Sequence, residues 1–139
     1  MIALSSMLMA ASAAVIVLLG ALHLFYTFTG NKLHPHDPEL RTRLEQVAPV
    51  ISRYTTMWRA WVGFNASHSS GLLLFGAVYG YLALWHSRLL FQSSFLLGLG
   101  LLFLIDFAFL SYRYWFSAPF RFILLAITLY VSALVSAAV

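Results

Sequence analysis

The chain has 139 residues, of which 62% are hydrophobic and 9% charged, and it contains no cysteine. A soluble domain carries roughly 25% charged residues, so this composition excludes a water-soluble fold and predicts an integral membrane protein. The lack of cysteine excludes disulfides and thiolate chemistry. The net charge of +4 does not indicate nucleic-acid binding, because the basic residues of a membrane protein collect in loops that face the cytoplasm.

The predicted elements are four membrane-spanning helices. A spanning helix needs roughly 20 mostly apolar residues. Four segments provide them, at about residues 4–28, 57–85, 89–110 and 119–138. No basic residue precedes the first segment, which argues against a signal peptide and for a retained helix. Only the connection between the first two helices is long. Because the other connections are short, consecutive helices are expected to pack antiparallel as neighbours. The predicted fold is all-α, an up-down four-helix bundle in one transmembrane domain over residues 1–139.

The long connection, residues 29–56, is predicted to contain a helix of its own. Asp37 followed by Pro38 is typical of a helix N-terminus. After them, apolar residues recur at helical spacing, at Leu40, Leu44, Val47 and Ile51. The pattern predicts a short amphipathic helix over about residues 38–48 that lies in the membrane interface and ends near Pro49. Thr55 or Thr56 then caps the second spanning helix.

The basic residues predict the orientation of the chain. All of them except Arg88 belong to the side that is reached after the first and third helices. They are Lys32, Arg41, Arg43, Arg53, Arg59, Arg113 and Arg121. Because cytoplasmic loops are enriched in lysine and arginine, this distribution places the long loop in the cytoplasm and both termini outside.

Polar and ionisable residues from all four helices are expected in the cytoplasmic half of the bilayer. On the second helix, the side chains of Trp58, Trp61, Asn65 and His68 share one face. The candidate ligand-binding residues are His23, Trp58, Arg59, Trp61, Asn65, His68, Asp106 and Arg121. Since polar side chains in a membrane are costly unless they are paired, this one-sided cluster predicts a polar pocket that opens toward the cytoplasm.

These residues also have structural explanations. Asp106 is either protonated or held in an ion pair. Its predicted partners are Arg59, Arg121 and His23. Arg121 is suited to anchor its helix at the interface, and His68, which lies deeper, is either a hydrogen-bonding partner or part of a functional site. The two tryptophans of the second helix are either interfacial anchors or walls of the pocket.

A row of small residues occupies the other side of the second helix. Gly63, Ser67 and Gly71 are spaced four apart, and small residues at this spacing let another helix backbone approach closely. The row therefore predicts tight helix packing. Gly76 and Gly80 repeat the pattern further along the helix.

Metal and cofactor sites have weaker support. His34, His36 and Asp37 offer two imidazoles and a carboxylate, but alternation around a proline in a loop is a poor template, so no metal site is predicted. At about 1.5 Å per residue, His23 and His68 lie roughly 8 Å and roughly 17 Å from the cytoplasmic ends of their helices. This difference in depth argues against a haem held by both histidines, whereas a site with one histidine stays open. The cofactor, if there is one, is unknown.

A motif opens the second helix, and several shorter matches surround it. The motif consists of Thr55-Thr56-Met57-Trp58, Ala60-Trp61, Gly63-Phe64-Asn65 and Ser67-His68-Ser69, followed by Gly71. The further matches are His23, Gly30-Asn31-Lys32, Tyr114-Trp115-Phe116 and Pro119-Phe120-Arg121. On these residues, most of the chain resembles a family of small four-span bacterial membrane proteins for which no activity is established. The resemblance implies the fold and a bacterial membrane, and it implies no activity.

Four functions remain open at this point. The first is a binding module for a small molecule, lipid or cofactor, which acts alone or as an accessory subunit of a larger membrane complex. The second is an enzyme that acts on a lipid-like substrate, with His68 or His23 as acid and base and Asp106 as the orienting group. The third is a small proton-coupled transporter in which Asp106 titrates. The fourth is a scaffold whose polar residues only join helices. The lipid bilayer is the expected partner, and a larger complex or a homo-oligomer is left open.

Overall fold

The computed structural model describes residues 2–138, with side chains from residue 3 onward. These residues form α-helices joined by loops, which confirms the predicted all-α class. In chain order the helices are α1 (Ile2–Phe28), α2 (Pro38–Gln46), α3 (Met57–Trp85), α4 (Ser87–Gln92), α5 (Ser94–Tyr114) and α6 (Ser117–Ala138). Residues 1 and 139, the ends of the predicted domain, lie outside the described residues.

Three helices are long and apolar enough to cross a membrane. They are α1, over Ala3–Phe28, and all of α5 and α6. The helix α3 is longer still, with 29 residues, but Arg59, Asn65 and His68 lie in its first half and lower its hydropathy. Within residues 2–138, length and composition therefore support three spans, and a fourth span through α3 stays a prediction.

The third predicted span begins and ends later than expected. The sequence predicts one helix over residues 89–110, whereas the structure has the short α4 followed by α5. Ser93 separates them, because its backbone is extended (φ −98°, ψ 98°) and its side-chain oxygen accepts a hydrogen bond from the Leu96 N–H. Hydropathy alone does not reveal a capping serine inside an apolar segment, which is why the prediction was wrong here.

The two predicted helix caps of the long loop are present. Asp37 Oδ1 accepts a hydrogen bond from the Glu39 N–H at 2.9 Å, and Thr56 Oγ1 accepts one from the Arg59 N–H at 3.2 Å. Each cap satisfies an N–H that has no partner inside its helix. The helix α2 ends earlier than predicted, since the backbone of Val47 is already extended.

The chain divides into two compact units, whose boundaries fall inside α1 and α3. Unit 2 is Gly20–Gly71, and unit 1 is the rest of the described chain. Among the described residues, the fully packed apolar side chains all lie in unit 1. They are Met9, Ala13, Ile16, Leu72, Phe75, Tyr79, Ala83, Leu90, Leu104, Ile123, Ala126, Tyr130 and Ala133.

Two tyrosines fix the beginning of α5 within unit 1. The Tyr79 hydroxyl donates a hydrogen bond to the Leu96 carbonyl at 2.6 Å, and the Tyr130 hydroxyl donates one to the Leu97 carbonyl at 2.9 Å. Both rings pass directly over Gly100, where a Cβ atom would lie 2.5 Å from Tyr130 Oη and 2.6 Å from Tyr79 Cε1. Only glycine fits this position without a shift of the tyrosines.

Close packing on α3 occurs at Gly76 and not at the row predicted for it. A Cβ atom on Gly76 would lie 2.8 Å from the Ala13 carbonyl oxygen, so the backbones of α1 and α3 approach closely there. A Cβ atom on Gly63 or Gly71 would meet no atom within 4 Å, and Ser67 is exposed. Among the described residues, the close packing predicted for Gly63, Ser67 and Gly71 is therefore not formed.

Candidate functional site

A hydrogen-bonded chain joins α1 and α3 inside unit 2. The Asn65 side-chain amide donates to the Trp61 carbonyl at 2.8 Å, so the amide oxygen of Asn65 points the other way. This oxygen lies 2.9 Å from His23 Nε2. Because a carbonyl oxygen only accepts, His23 must carry its proton on Nε2. The sequence predicted both residues as candidates, and the structure brings them into direct contact.

The ring of His68 lies against the ring of His23. Their centroids are 5.2 Å apart with an angle of 67° between the planes, which is an edge-to-face contact. The predicted difference in depth is therefore wrong. The prediction assumed that the end of α1 and the start of α3 lie at the same depth. His68 is several residues further from the start of α3 than His23 is from the end of α1, and the two rings are nevertheless in contact. The start of α3 must extend past the end of α1 by roughly 9 Å at 1.5 Å per residue.

This contact also bears on a haem held by both histidines. Two axial ligands lie on opposite faces of a porphyrin, with the iron between them. Rings in edge-to-face contact leave no space for a macrocycle between them. Geometry, and not depth, is therefore the argument against such a site.

A second set of contacts surrounds a cavity of about 280 Å³ in unit 2. Its walls come from the loop after α1, from α2 and from the first turns of α3. They are formed by Leu33, His34, Pro35, Leu44, Trp58 and Trp61. Trp61 Nε1 donates a hydrogen bond to the Leu33 carbonyl at 3.1 Å, which ties the loop to α3. The two tryptophans thus line this cavity, which is not the polar pocket that the sequence predicted.

Arg41 of α2 contacts two of the residues that line this cavity, Trp58 and His34. Its guanidinium lies 3.5 Å from the centre of the Trp58 ring and is hydrogen bonded to Glu45 at 2.6 Å and 3.0 Å. Arg41 Nη1 also lies 3.0 Å from His34 Nδ1, and the His34 ring meets Trp58 edge to face at 5.0 Å. These contacts hold α2 and the loop against α3.

The cavity differs in character from the predicted pocket. Its lining is mainly apolar and aromatic, whereas the sequence predicted a polar one. Leu33, His34 and Pro35 were missed as lining residues because they stand in a loop without periodicity. Leu44 belongs to the apolar stripe of α2. This stripe indicated that one side of α2 faces apolar surroundings.

The remaining candidates do not join these clusters. Arg59 is exposed in the first turn of α3 and takes part through its backbone cap. Asp106 and Arg121 belong to unit 1, where both are exposed. Within the described part of unit 1 they form no ion pair with each other, since Arg41 and Glu45 form the ion pair of the described chain. The predicted pair of Asp106 with Arg121 is therefore not formed.

Trp61 connects the two clusters of unit 2. Its indole ring lines the cavity, and its carbonyl group accepts the hydrogen bond from Asn65. A continuous path therefore runs from the cavity wall through Asn65 and His23 to the ring of His68.

Comparisons with protein-family models, with curated proteins and with solved structures gave no match. The fold and the two clusters define the chain as an all-α protein with three helices fit to cross a membrane and one cavity-bearing loop region. Its resemblance to a four-span bacterial family stays a prediction.

Proposed function

We propose that the protein is a four-span protein of the bacterial inner membrane, with α3 as the fourth span. With 29 residues, α3 exceeds the roughly 20 residues that a span requires. Asn65 and His68 in its first half contact His23 of α1, which lowers the cost of placing these two residues in a membrane. The basic residues favour a cytoplasmic position for the long loop and an outside position for both termini.

Labelling of single cysteines tests this topology. Because the chain has no cysteine of its own, a variant with one cysteine gives no background. Arg43→Cys reports on the loop and Arg88→Cys on the other end of α3, and both positions are exposed. A maleimide that does not cross membranes should label position 88 in cells with a permeabilised outer membrane, and position 43 only after lysis. Labelling of both positions from one side would contradict a span through α3.

We further propose that the protein binds a small ligand in the cavity of unit 2, either alone or as an accessory subunit of a larger membrane complex. The observation that carries this proposal is the cavity itself. Trp58, Trp61 and Leu44 line a depression that is open on one side and large enough for part of a small molecule. Specific contacts of Arg41 hold the walls in place, and concave apolar sites with a few polar groups are the usual form of ligand sites.

The alternatives have less support. Both the enzyme and the transporter place Asp106 at the centre of the chemistry. Asp106 is exposed on α5, and the described part of unit 1 offers it no basic partner. A scaffold whose polar residues only join helices does not account for the cavity.

Native mass spectrometry of the protein, extracted gently from its host membranes, tests the binding proposal. We expect a discrete adduct that is lost when Leu44→Trp narrows the cavity. Trp85→Phe, a change outside the cavity and in unit 1, is the matched control and should keep the adduct. A larger assembly without an adduct would favour the accessory subunit, and a bare protein in all variants would contradict both forms of the proposal.

A further inference from the structure

We propose that the cavity of unit 2 binds the ring of a neutral, ring-headed membrane lipid, the class to which isoprenoid quinones belong. This inference rests on the proposed function, in which the cavity is a ligand site. It adds the chemical class of the ligand, and four features of the cavity carry it: the charge of its walls, their shape, their polar groups and its position along the chain.

The charges around the cavity favour a neutral ligand. Burying an ion costs free energy unless an opposite charge pairs with it. The nearby cation, Arg41, is already paired with Glu45 and lies over the Trp58 ring. An anionic head group, such as a lipid phosphate, would have to compete with Glu45 for this guanidinium. The cavity therefore suits a head group without charge.

The shape of the walls favours a flat ring. Trp58 and Trp61 provide two indole rings, and aromatic rings prefer offset-stacked or edge-to-face partners. A volume of about 280 Å³ falls just below the range of about 300–1,000 Å³ for drug-sized ligands. The cavity thus has room for a ring system but not for a whole lipid, whose tail must remain outside.

The polar groups near the walls are already engaged with one another. Arg41 Nη1 lies 3.0 Å from Nδ1 and 3.2 Å from Nε2 of His34, so both ring nitrogens of His34 face this guanidinium. The Nε and Nη2 groups of Arg41 donate to Glu45. None of the lining residues carries a carboxylate. Such walls suit a neutral ring that is held mainly by contact with aromatic side chains.

The position of the cavity suits the head group of a lipid. Its walls come from the first turns of α3 and from the loop between α1 and α3. In the proposed topology these turns lie at the membrane interface, where tryptophan is enriched and where lipid head groups lie. A ring can enter the cavity from this level while its tail stays in the bilayer.

Titration of the purified full-length protein with three probes tests the inference. The probes are a benzoquinone with a decyl tail, decyl phosphate and decanol, which share the tail and differ in the head group. Binding is followed by native mass spectrometry. We expect the benzoquinone to bind at least about tenfold more tightly than the other two probes, a difference of about 1.4 kcal/mol.

Two variants and one control locate the binding. Leu44→Trp should weaken benzoquinone binding about tenfold or more, because an added ring occupies the cavity, while Trp85→Phe should leave it unchanged. His34→Ala should weaken binding several-fold without filling the cavity, so the result does not depend on the folding of Leu44→Trp. Equal or tighter binding of decyl phosphate or decanol would overturn the inference. The proposed function is tested separately, by the adduct that the protein carries from its host membranes. Loss of this adduct in Leu44→Trp would support a ligand site in the cavity whatever the chemical class of the ligand.

Discussion

Unit 1 and unit 2 are built from different interactions. In unit 1, apolar side chains such as Tyr130 and Leu104 are completely buried, and glycines allow backbones and rings to approach closely. In unit 2, the contacts are hydrogen bonds and ring contacts among half-buried residues, for example those of His23 and Arg41. The first kind of contact resists change in volume, whereas the second kind can be exchanged for contacts with a ligand.

This difference indicates a division of roles. Cooperative units with few buried apolar contacts open at a lower free energy than the core does. Loops supported by a rigid scaffold often carry binding residues. We therefore expect changes in unit 1 to alter the stability of the whole protein and changes in unit 2 to alter local protection and ligand binding.

The largest effect on the stability of the protein is expected from a change at Gly100. Gly100→Ala places a methyl group against the rings of Tyr79 and Tyr130, where the free space is too small for it. Overpacking of this kind costs about 1–3 kcal/mol. The protein is kept in a mild detergent and unfolded by adding increasing amounts of a denaturing detergent. The fraction of denaturing detergent at the midpoint of unfolding should be lower for Gly100→Ala.

Gly98→Ala is the matched control, because a Cβ atom at that position of the same helix meets nothing within 4 Å. Its midpoint should be unchanged or higher, since alanine favours a helix over glycine by up to about 1 kcal/mol. Equal losses in the two variants would show that the tyrosine contacts do not determine the stability of unit 1.

Much of this fold follows from hydropathy and local capping rules. Long apolar segments predicted α1 and α6 almost to the residue, and Asp37 with Pro38 predicted the start of α2. The start of α5 could not be predicted in this way, because Ser93 ends one helix and caps the next, and hydropathy averages the polar run Gln92-Ser93-Ser94 with the apolar residues around it. Local polarity, and not hydropathy, decides such a boundary.

The candidate site was predictable in its members but not in its arrangement. Asn65, His68 and His23 stand out in the sequence because polar residues inside a span require partners. Their contact depends on how far α3 extends past α1, and the loop between these helices determines this distance. The part of the cavity wall that Leu33 and Pro35 form has no signal in the sequence, because loop residues follow no period.

A smaller effect is expected at Asn65. Asn65→Ala removes the acceptor of the His23 N–H and the donor to the Trp61 carbonyl. A lost hydrogen bond of this kind costs about 1 kcal/mol, in membranes often less. Hydrogen exchange followed by mass spectrometry should then be faster in residues 20–28 and 57–71, while exchange in the helices of unit 1 stays the same.

Ser67→Ala is the control for this prediction, because Ser67 is exposed and its hydroxyl donates to the Phe64 carbonyl of its own helix. It should leave exchange in both units unchanged. If Asn65→Ala accelerated exchange in α5 and α6 as strongly as in unit 2, the two units would open together and the division of roles would be wrong.

The smallest effect on stability, with the clearest effect on binding, is expected at Arg41. Arg41→Gln removes the cation from the face of Trp58 and breaks the ion pair with Glu45. A cation–π contact at an exposed site contributes about 0.5–1 kcal/mol, and a surface ion pair about 0–1 kcal/mol. Global unfolding should therefore change little, whereas exchange in residues 33–47 should become faster and the native adduct should be weakened.

Arg43→Gln separates this role from a general effect of charge. Arg43 is exposed in the same helix, so its replacement removes the same charge and leaves the cavity wall intact. It should change neither local exchange nor the adduct. Equal effects of the two variants would mean that α2 acts through its net charge, for instance on anionic lipids. The contact of Arg41 with Trp58 would then not be what supports ligand binding.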